Sequence, residues 1–210
     1  MTTETVAPTG RREHAPEGLR ERKKAATRQA LHEAALRLAV DKGYAEVTVD
    51  AIADAALVSR RTFSNYFGSK EDALLYGDRN RGEQLVEQLR AQPADRTAWE
   101  ALRGSAAQLY TGLENLDPQW VAQLRLIRRH PAILAQQVAN HGQLEQGLAE
   151  ELAARPGGLD PLAARVMAAA FLAALRAAIT VWLDEGSRPG RRSLPVMVDR
   201  ALDELAKQYT

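Results

Sequence analysis

Two helix starts set eleven residues apart, with a tight turn between them, constrain this chain more than any other feature. Within residues 48–76, TVDAIADAALVSRRTFSNYFGSKEDALLY, Thr48 and Ser59 each precede a short helical pattern. Their hydroxyls suit the N-cap position, where a side-chain oxygen accepts from an otherwise unpaired N–H of the first turn. A rotation of about 100° per residue then sorts the second helix into two faces. Phe63 and Phe67 fall on one, and Arg60, Arg61, Ser64 and Asn65 on the other. The aromatic face must pack inward. The polar face carries groups that match base edges, because guanidinium pairs with guanine O6/N7 and carboxamide with adenine N6/N7. Two short helices with a base-reading face on the second are helix-turn-helix chemistry.

Thr48, Val49, Ile52, Ala53, Ala56, Val58, Ser59, Thr62, Tyr66, Phe67 and Lys70 stand in a register that closely resembles the DNA-binding domain of the tetracycline-repressor (TetR) family of bacterial transcription regulators. The resemblance extends upstream to an amphipathic helix ending at Asp41-Lys42-Gly43-Tyr44 and covers about residues 20–76. It implies that Lys70, Thr48 and Tyr66 meet DNA phosphates, with Ser59, Thr62 and Arg28 completing the phosphate set. Two positions depart from the pattern. Leu57 occupies the turn position that is commonly glycine, and a bulky residue near left-handed geometry costs about 1 kcal/mol. Ser64 stands where the reading face often carries an aromatic ring, so no stacking or thymine-methyl contact is assigned to it.

Charge is distributed in keeping with this. The chain carries a net charge of +1, but residues 1–70 hold 12 Lys or Arg against 9 Asp or Glu. Arg11, Arg12, Arg20, Arg22, Lys23, Lys24 and Arg28 cluster in the arm and first helix. Beside a reading helix, such cations supply the sequence-independent part of affinity by releasing counterions from DNA. With no cysteine, thiolate catalysis, disulfides and thiol-based metal sites are excluded. His14, His32, His130 and His141 are scattered and read as ordinary polar positions. The first residues, MTTETVAPTGRREHAPEG, lack an apolar signal-like region, so a polar arm and cytoplasmic residence are expected.

The remainder reads as helices. The first is expected over about residues 20–42, with Leu31, Ala35 and Leu38 on its apolar stripe and Gly43 as a left-handed C-cap. Another is expected from Ser69 to about Arg90 as a single connecting helix, and one from Thr97 to about Leu113. Asp117-Pro118 and Asp160-Pro161 each place an N-cap before a proline, and His130-Pro131 interrupts the run from residue 118. The alanine-rich helix at about 161–185 has Arg176 as its only charge between Val166 and Leu183. It must be buried on more than one side. Its uninterrupted apolar run of ten residues, Val166 to Leu175, is short of the roughly 20 that a bilayer needs. The last helix, about 193–208, shows Val196, Val198, Leu202 and Leu205. Resemblance to the family implies that these final two helices pair with their copies in a second subunit.

An all-α fold is therefore expected: a polar, basic arm (1–19), an N-terminal three-helix helix-turn-helix DNA-binding domain (20–68), and a C-terminal helical ligand-binding and dimerisation domain (69–210). Large side chains concentrate at Trp99, Tyr110, Trp120, Leu124, Ile127, Ile133 and Leu134, with Met167 and Phe171 on the long helix. Trp99, Tyr110, Trp120, Leu124, Ile127, Met167 and Phe171 form the expected effector pocket, and Arg125, Arg128, Arg129 and Arg176 nearby suit either an anionic or amphipathic effector or a solvated face. The expected function is a homodimeric repressor that a small molecule releases from a palindromic double-stranded operator, with no catalytic residue, cofactor or metal. Two alternatives stand beside it. One is a helical small-molecule binding protein or enzyme without DNA binding, which selection from random DNA would distinguish. The other is a regulator that activates, or that lacks an effector, which a reporter assay would distinguish.

Overall fold

Every predicted cap at a described helix start is occupied in the computed structural model, which describes residues 15–110, 118–186 and 192–207. Thr48 accepts from the N–H of Ala51 at 3.1 Å and opens α2 (Val49–Ala55). Ser59 accepts from Thr62 N–H at 3.0 Å and opens α3 (Arg60–Ser64). Upstream lies α1 (Ala15–Asp41), followed by one 3-10 turn at Tyr44–Glu46. Gly43 does adopt a positive φ of 87°, but its ψ of 151° is extended and differs from the predicted left-handed cap. Leu57, between α2 and α3, has φ 57° and is 93% exposed. It is the one non-glycine residue with positive φ among those described.

The predicted connecting helix is in fact two, α4 (Lys70–Leu74) and α5 (Tyr76–Arg90), parted at Leu75. Neither proline nor glycine stands at the break. Side-chain donors from elsewhere take two of its carbonyls. The Nδ1 of His32, on α1, donates to Ala73 O at 2.8 Å, and the Nε2 of Gln123 donates to Leu74 O at 2.7 Å. Side chains inserted into the main-chain ladder are an established cause of a sharp helix break. Gly77, just beyond it, brings α5 close to α1: an added Cβ would lie 2.8 Å from His32 Nε2.

Five further helices follow, α6 (Ala98–Tyr110), α7 (Pro118–Arg129), α8 (Pro131–Ala154), α9 (Pro161–Glu185) and α10 (Leu194–Ala206). Thr97 and Glu100 close the predicted capping box, and the carboxylate of Asp160 accepts from Leu162 and Ala163 N–H. Asp117, the predicted cap of α7, lies outside the described residues, as do arm residues Arg11, Arg12 and His14.

Two cores result. The first gathers Leu31, Ile52, Phe63, Phe67 and Leu74, and it takes in Leu126, Ile127 and Ile133 from α7 and α8. Packing therefore crosses the expected division at residue 68 without interruption. The second joins α5, α6, α8, α9 and α10 around Leu102, Leu148, Phe171, Trp182 and Leu202. By length and composition α9 could cross a membrane, with mean hydropathy 2.0 over its most apolar stretch. Here it lies between α8 and α10.

Candidate nucleic-acid interface and effector cavity

The polar outer face of α3 stands on a buried footing. Phe63 and Phe67 are 1% and 2% exposed, with ring centroids 5.8 Å apart, and they join the core that holds Leu31 of α1 and Ile52 of α2, Phe67 from three residues beyond the end of α3. Arg60, Arg61, Ser64 and Asn65 are all exposed on the outside. Asn65 is already the C-cap of this five-residue helix. Arg60 is held by a carboxylate from α2 that its own helix spacing does not reveal: its guanidinium donates to Asp50 at 2.9 Å. Ser64 Oγ donates back to Arg60 O at 3.3 Å.

Around this face the predicted phosphate residues are differently engaged. Thr48 and Ser59 are exposed, while their hydroxyl oxygens cap helices. Thr62 and Ser59 share a hydroxyl contact of 2.8 Å. Lys70 turns its ammonium inward, donating to Tyr44 O at 3.3 Å and Val47 O at 3.0 Å and lying 4.2 Å from the Tyr44 ring centroid. The guanidinium of Arg28 sits over two rings, 5.7 Å from that of Tyr66 and 5.8 Å from that of Tyr76. Tyr44 OH donates to Glu71. Burial, then that bond, raises the Tyr44 hydroxyl to about 12. Burial also pushes the Glu71 carboxyl upward, but hydrogen bonds from Tyr44, its own backbone and Ser69 outweigh this and hold it below its usual value.

A cavity of about 230 Å³ opens among α5, α6, α7, α8 and α9. Tyr110, Trp120, Leu124 and Ile127 line it, as expected from sequence. The other three predicted residues are elsewhere. Trp99 and Met167 line a separate apolar groove between α6, α9 and α10, together with Val166 and Leu205. Phe171 is fully buried, edge-on to Trp99 at 6.5 Å. Helical spacing marks all seven as inward, but α9 has two inward sides, and residue 167 lies on a different one from residues 172 and 175.

The polar wall of the cavity leads directly to the break in the helix. Arg81 lies 4.7 Å from the Trp120 ring centroid and donates to Gln123 Oε1 at 2.8 Å. Gln123 is 1% exposed, and its amide nitrogen holds Leu74 O. Beyond Leu74, the carbonyl of Ala73 holds His32 in α1. A hydrogen-bonded path thus runs from cavity wall to DNA-facing unit. His32, expected to be an ordinary polar position, is instead 5% exposed, and Gln123 has no role in the sequence reading, although each is a polar residue within an apolar stripe: His32 beside Leu31 and Ala35, and Gln123 between Trp120 and Ile127. Tyr110, buried at the cavity wall, has its hydroxyl raised to about 12 by burial, with Arg81 opposing and Asp78 reinforcing the shift. Among the described residues no group of three or more His, Asp or Glu is placed to hold a metal.

A helix-turn-helix unit with an exposed basic outer face, joined through shared packing to a helical unit containing a cavity, has the build of a one-component DNA-binding regulator. The chain belongs to the tetR family of bacterial regulatory proteins. The family's sequence model, "Bacterial regulatory proteins, tetR family", matches residues 31–76, and "MftR C-terminal domain" matches residues 96–210. The chain is 32% identical to the HTH-type transcriptional regulator TcmR of Streptomyces glaucescens over 212 residues, 97% of this chain and 93% of that protein. Similar solved structures include FadR of Thermus thermophilus in complex with lauroyl-CoA, with TM-score 0.58 and 24% identity over 87% of this chain and 95% of that one. NalD of Pseudomonas aeruginosa, the secondary repressor of the MexAB-OprM efflux pump, also has TM-score 0.58, at 19% identity over 89% of this chain and 96% of that one. These two likenesses establish the fold. The chain is accordingly a DNA-binding transcriptional regulator of the tetR family, whose members bind small molecules and function as dimers.

Proposed function

We propose that this regulator is a cytoplasmic repressor whose α3 reads a palindromic operator and whose central cavity takes the small molecule that releases it. The observation that carries the coupling is the path Trp120–Arg81–Gln123–Leu74, which ends one residue from the carbonyl bound by His32. A ligand that displaces Trp120 or Arg81 alters the donor holding the break open. The angle between α4 and α5 then changes, and with it the position of α3. Such a ligand shifts the population only in proportion to its differential affinity for the two arrangements.

Residues 20–68 are assigned to DNA and residues 69–210 to sensing and dimerisation. Arg60, Arg61, Ser64 and Asn65 read bases; Thr48, Ser59, Thr62, Tyr66, Lys70 and Arg28 serve phosphates. Support for the dimer comes from an unpaired apolar stripe: Leu162, Val166 and Val181 on α9 and Val196 on α10 are 73%, 50%, 47% and 49% exposed. Val166 also lines the groove that holds Trp99 and Met167. A two-fold pair of α9–α10 units covers both, and sets the two reading helices about 34 to 36 Å apart or a near multiple, hence a palindrome.

Selection from random duplexes tests this. The full chain is expected to enrich a palindromic site, and Arg61→Ala to relax preference at one position in each half at a cost of about 1 to 3 kcal/mol. Failure to enrich any DNA sends the reading to a helical ligand-binding protein instead. Retention of the parental motif by Arg60→Ala, Arg61→Ala and Asn65→Ala alike would refute the assigned face.

A further inference from the structure

We infer that the effector is an amphipathic anion, with an apolar body inside the cavity and a negatively charged group held among the arginines at its rim. This rests on the reading of the cavity as the effector site. Three observations on charge and shape carry it. The cavity is walled by Leu85, Leu109, Leu124, Leu172, Leu175 and Ile179, so the enclosed part of the ligand must be apolar. It adjoins a second hollow of about 320 Å³ lined by Arg125, Arg128, Arg129, Leu183 and Asp184, and Arg128 and Leu183 line both. The cavity rim also carries Arg176, exposed on α9.

Together the two hollows are lined by five arginines, Arg81 included, against two carboxylates, Asp78 and Asp184, and four of the arginines stand at the Asp184 end. Asp184 is taken by Arg128 at 2.8 Å, whereas Arg125, Arg129 and Arg176 have no ion-pair or hydrogen-bond partner among the described residues. Guanidinium forks match carboxylate and phosphate oxygens with two parallel hydrogen bonds. The cavity's own carboxylate fixes the orientation. Asp78 is also in the lining, accepts from Gln137 at 3.3 Å and lies 4.0 Å from His141 Nε2. An anionic head placed there would be repelled, and one placed at Arg125, Arg128 and Arg176 is attracted. A cationic head would reverse both terms. The apolar body then lies against Trp120, beside the Arg81–Gln123 contact.

The test uses three probes with one chain and different heads: dodecanoate and dodecyltrimethylammonium below their micelle concentrations, and dodecan-1-ol below its solubility limit. They are titrated into the full-length protein and followed by tryptophan emission. Dodecanoate is expected to bind at least about tenfold more tightly than the alcohol, the scale of a charge-assisted hydrogen bond, and the ammonium compound more weakly than either. The double variant Arg125→Gln/Arg176→Gln alters only exposed side chains and is expected to remove most of the preference for dodecanoate while leaving dodecan-1-ol unchanged. Equal or tighter binding of the alcohol or the ammonium compound overturns the inference and leaves the cavity reading standing, as does a preference for dodecanoate that survives the double substitution. No binding by any of the three overturns the inference and the reading of this cavity as an apolar ligand site together.

Discussion

Gln123→Met removes the donor that holds the helix break while keeping nearly the same volume. In the native chain Gln123 is 1% exposed; its Nε2 donates to Leu74 O at 2.7 Å and its Oε1 accepts from Arg81 at 2.8 Å. Methionine offers neither contact. Arg81 is partly exposed, so water can replace the lost acceptor at little cost. Leu74 is 1% exposed, and its carbonyl is left buried and unpaired, a penalty of about 1 to 3 kcal/mol. For a chain of this size, that range corresponds to a melting temperature lower by about 2 to 12 °C. Calorimetry measures it. The same variant should lose part of the communication between sites, because the path from Trp120 to His32 passes through this amide. Operator affinity measured with and without a cavity ligand gives the coupling factor, which is expected to fall toward unity while ligand affinity changes less. A variant that melts with the parent and is released from operator by the same factor would refute the reasoning. It would show that α4 and α5 keep their angle without the amide.

Three other perturbations follow from the described geometry. Leu57→Gly relieves a left-handed strain of about 1 to 2 kcal/mol, gives back about 0.5 to 1 kcal/mol through glycine's freedom in the unfolded chain, and forfeits almost no packing; a small net stabilisation by chemical denaturation is expected, and a loss above about 1 kcal/mol would show that the exposed leucine has a partner. Lys70→Ala deletes two hydrogen bonds from a charged donor, so the melting temperature should fall; if the remaining N–H serves a phosphate, the salt slope of DNA binding also drops by about 0.9. Tyr110 is protonated up to about 12 in the folded state against about 10 when unfolded, so its contribution is complete below pH 10 and lost as pH rises through 12; absorbance at alkaline pH should show its phenolate appearing only with unfolding, and early ionisation would contradict its burial.

What could be read from sequence is local. Thr48, Ser59, Ser69, Thr97 and Asp160 act within three residues of themselves, so their caps follow from spacing alone. The inward side of this segment is equally legible, because Phe63 and Phe67 sit four residues apart in a largely polar stretch, although α3 itself ends at Ser64. The strained turn at Leu57 followed from the departure from glycine. The break at Leu75 was hidden because its causes lie 41 and 49 residues away, at His32 and Gln123. Periodicity across 69–90 is continuous and gives no sign of it. The division of aromatic residues between cavity and groove was hidden for a related reason. Trp99 and Trp120 have similar apolar neighbours, and only the placement of α9 and α10 sends one to the groove and the other to the cavity.

The shared carbonyls at the break also set where this protein can be cut and recombined. A chimera joining residues 1–68 to a foreign sensor would part His32 from Ala73 and strip Leu126, Ile127 and Ile133 from the core beneath the reading helix. Moving the junction to residue 75 keeps the first contact and still loses Gln123. Only a junction beyond residue 133 carries the whole footing of α3 with it, and that junction already includes Trp120 and part of the cavity. Specificity for DNA and specificity for ligand are therefore not separable modules in this scaffold. A lineage that exchanges its sensor must either take α7 along with the reading head or rebuild positions 32 and 123 as a pair.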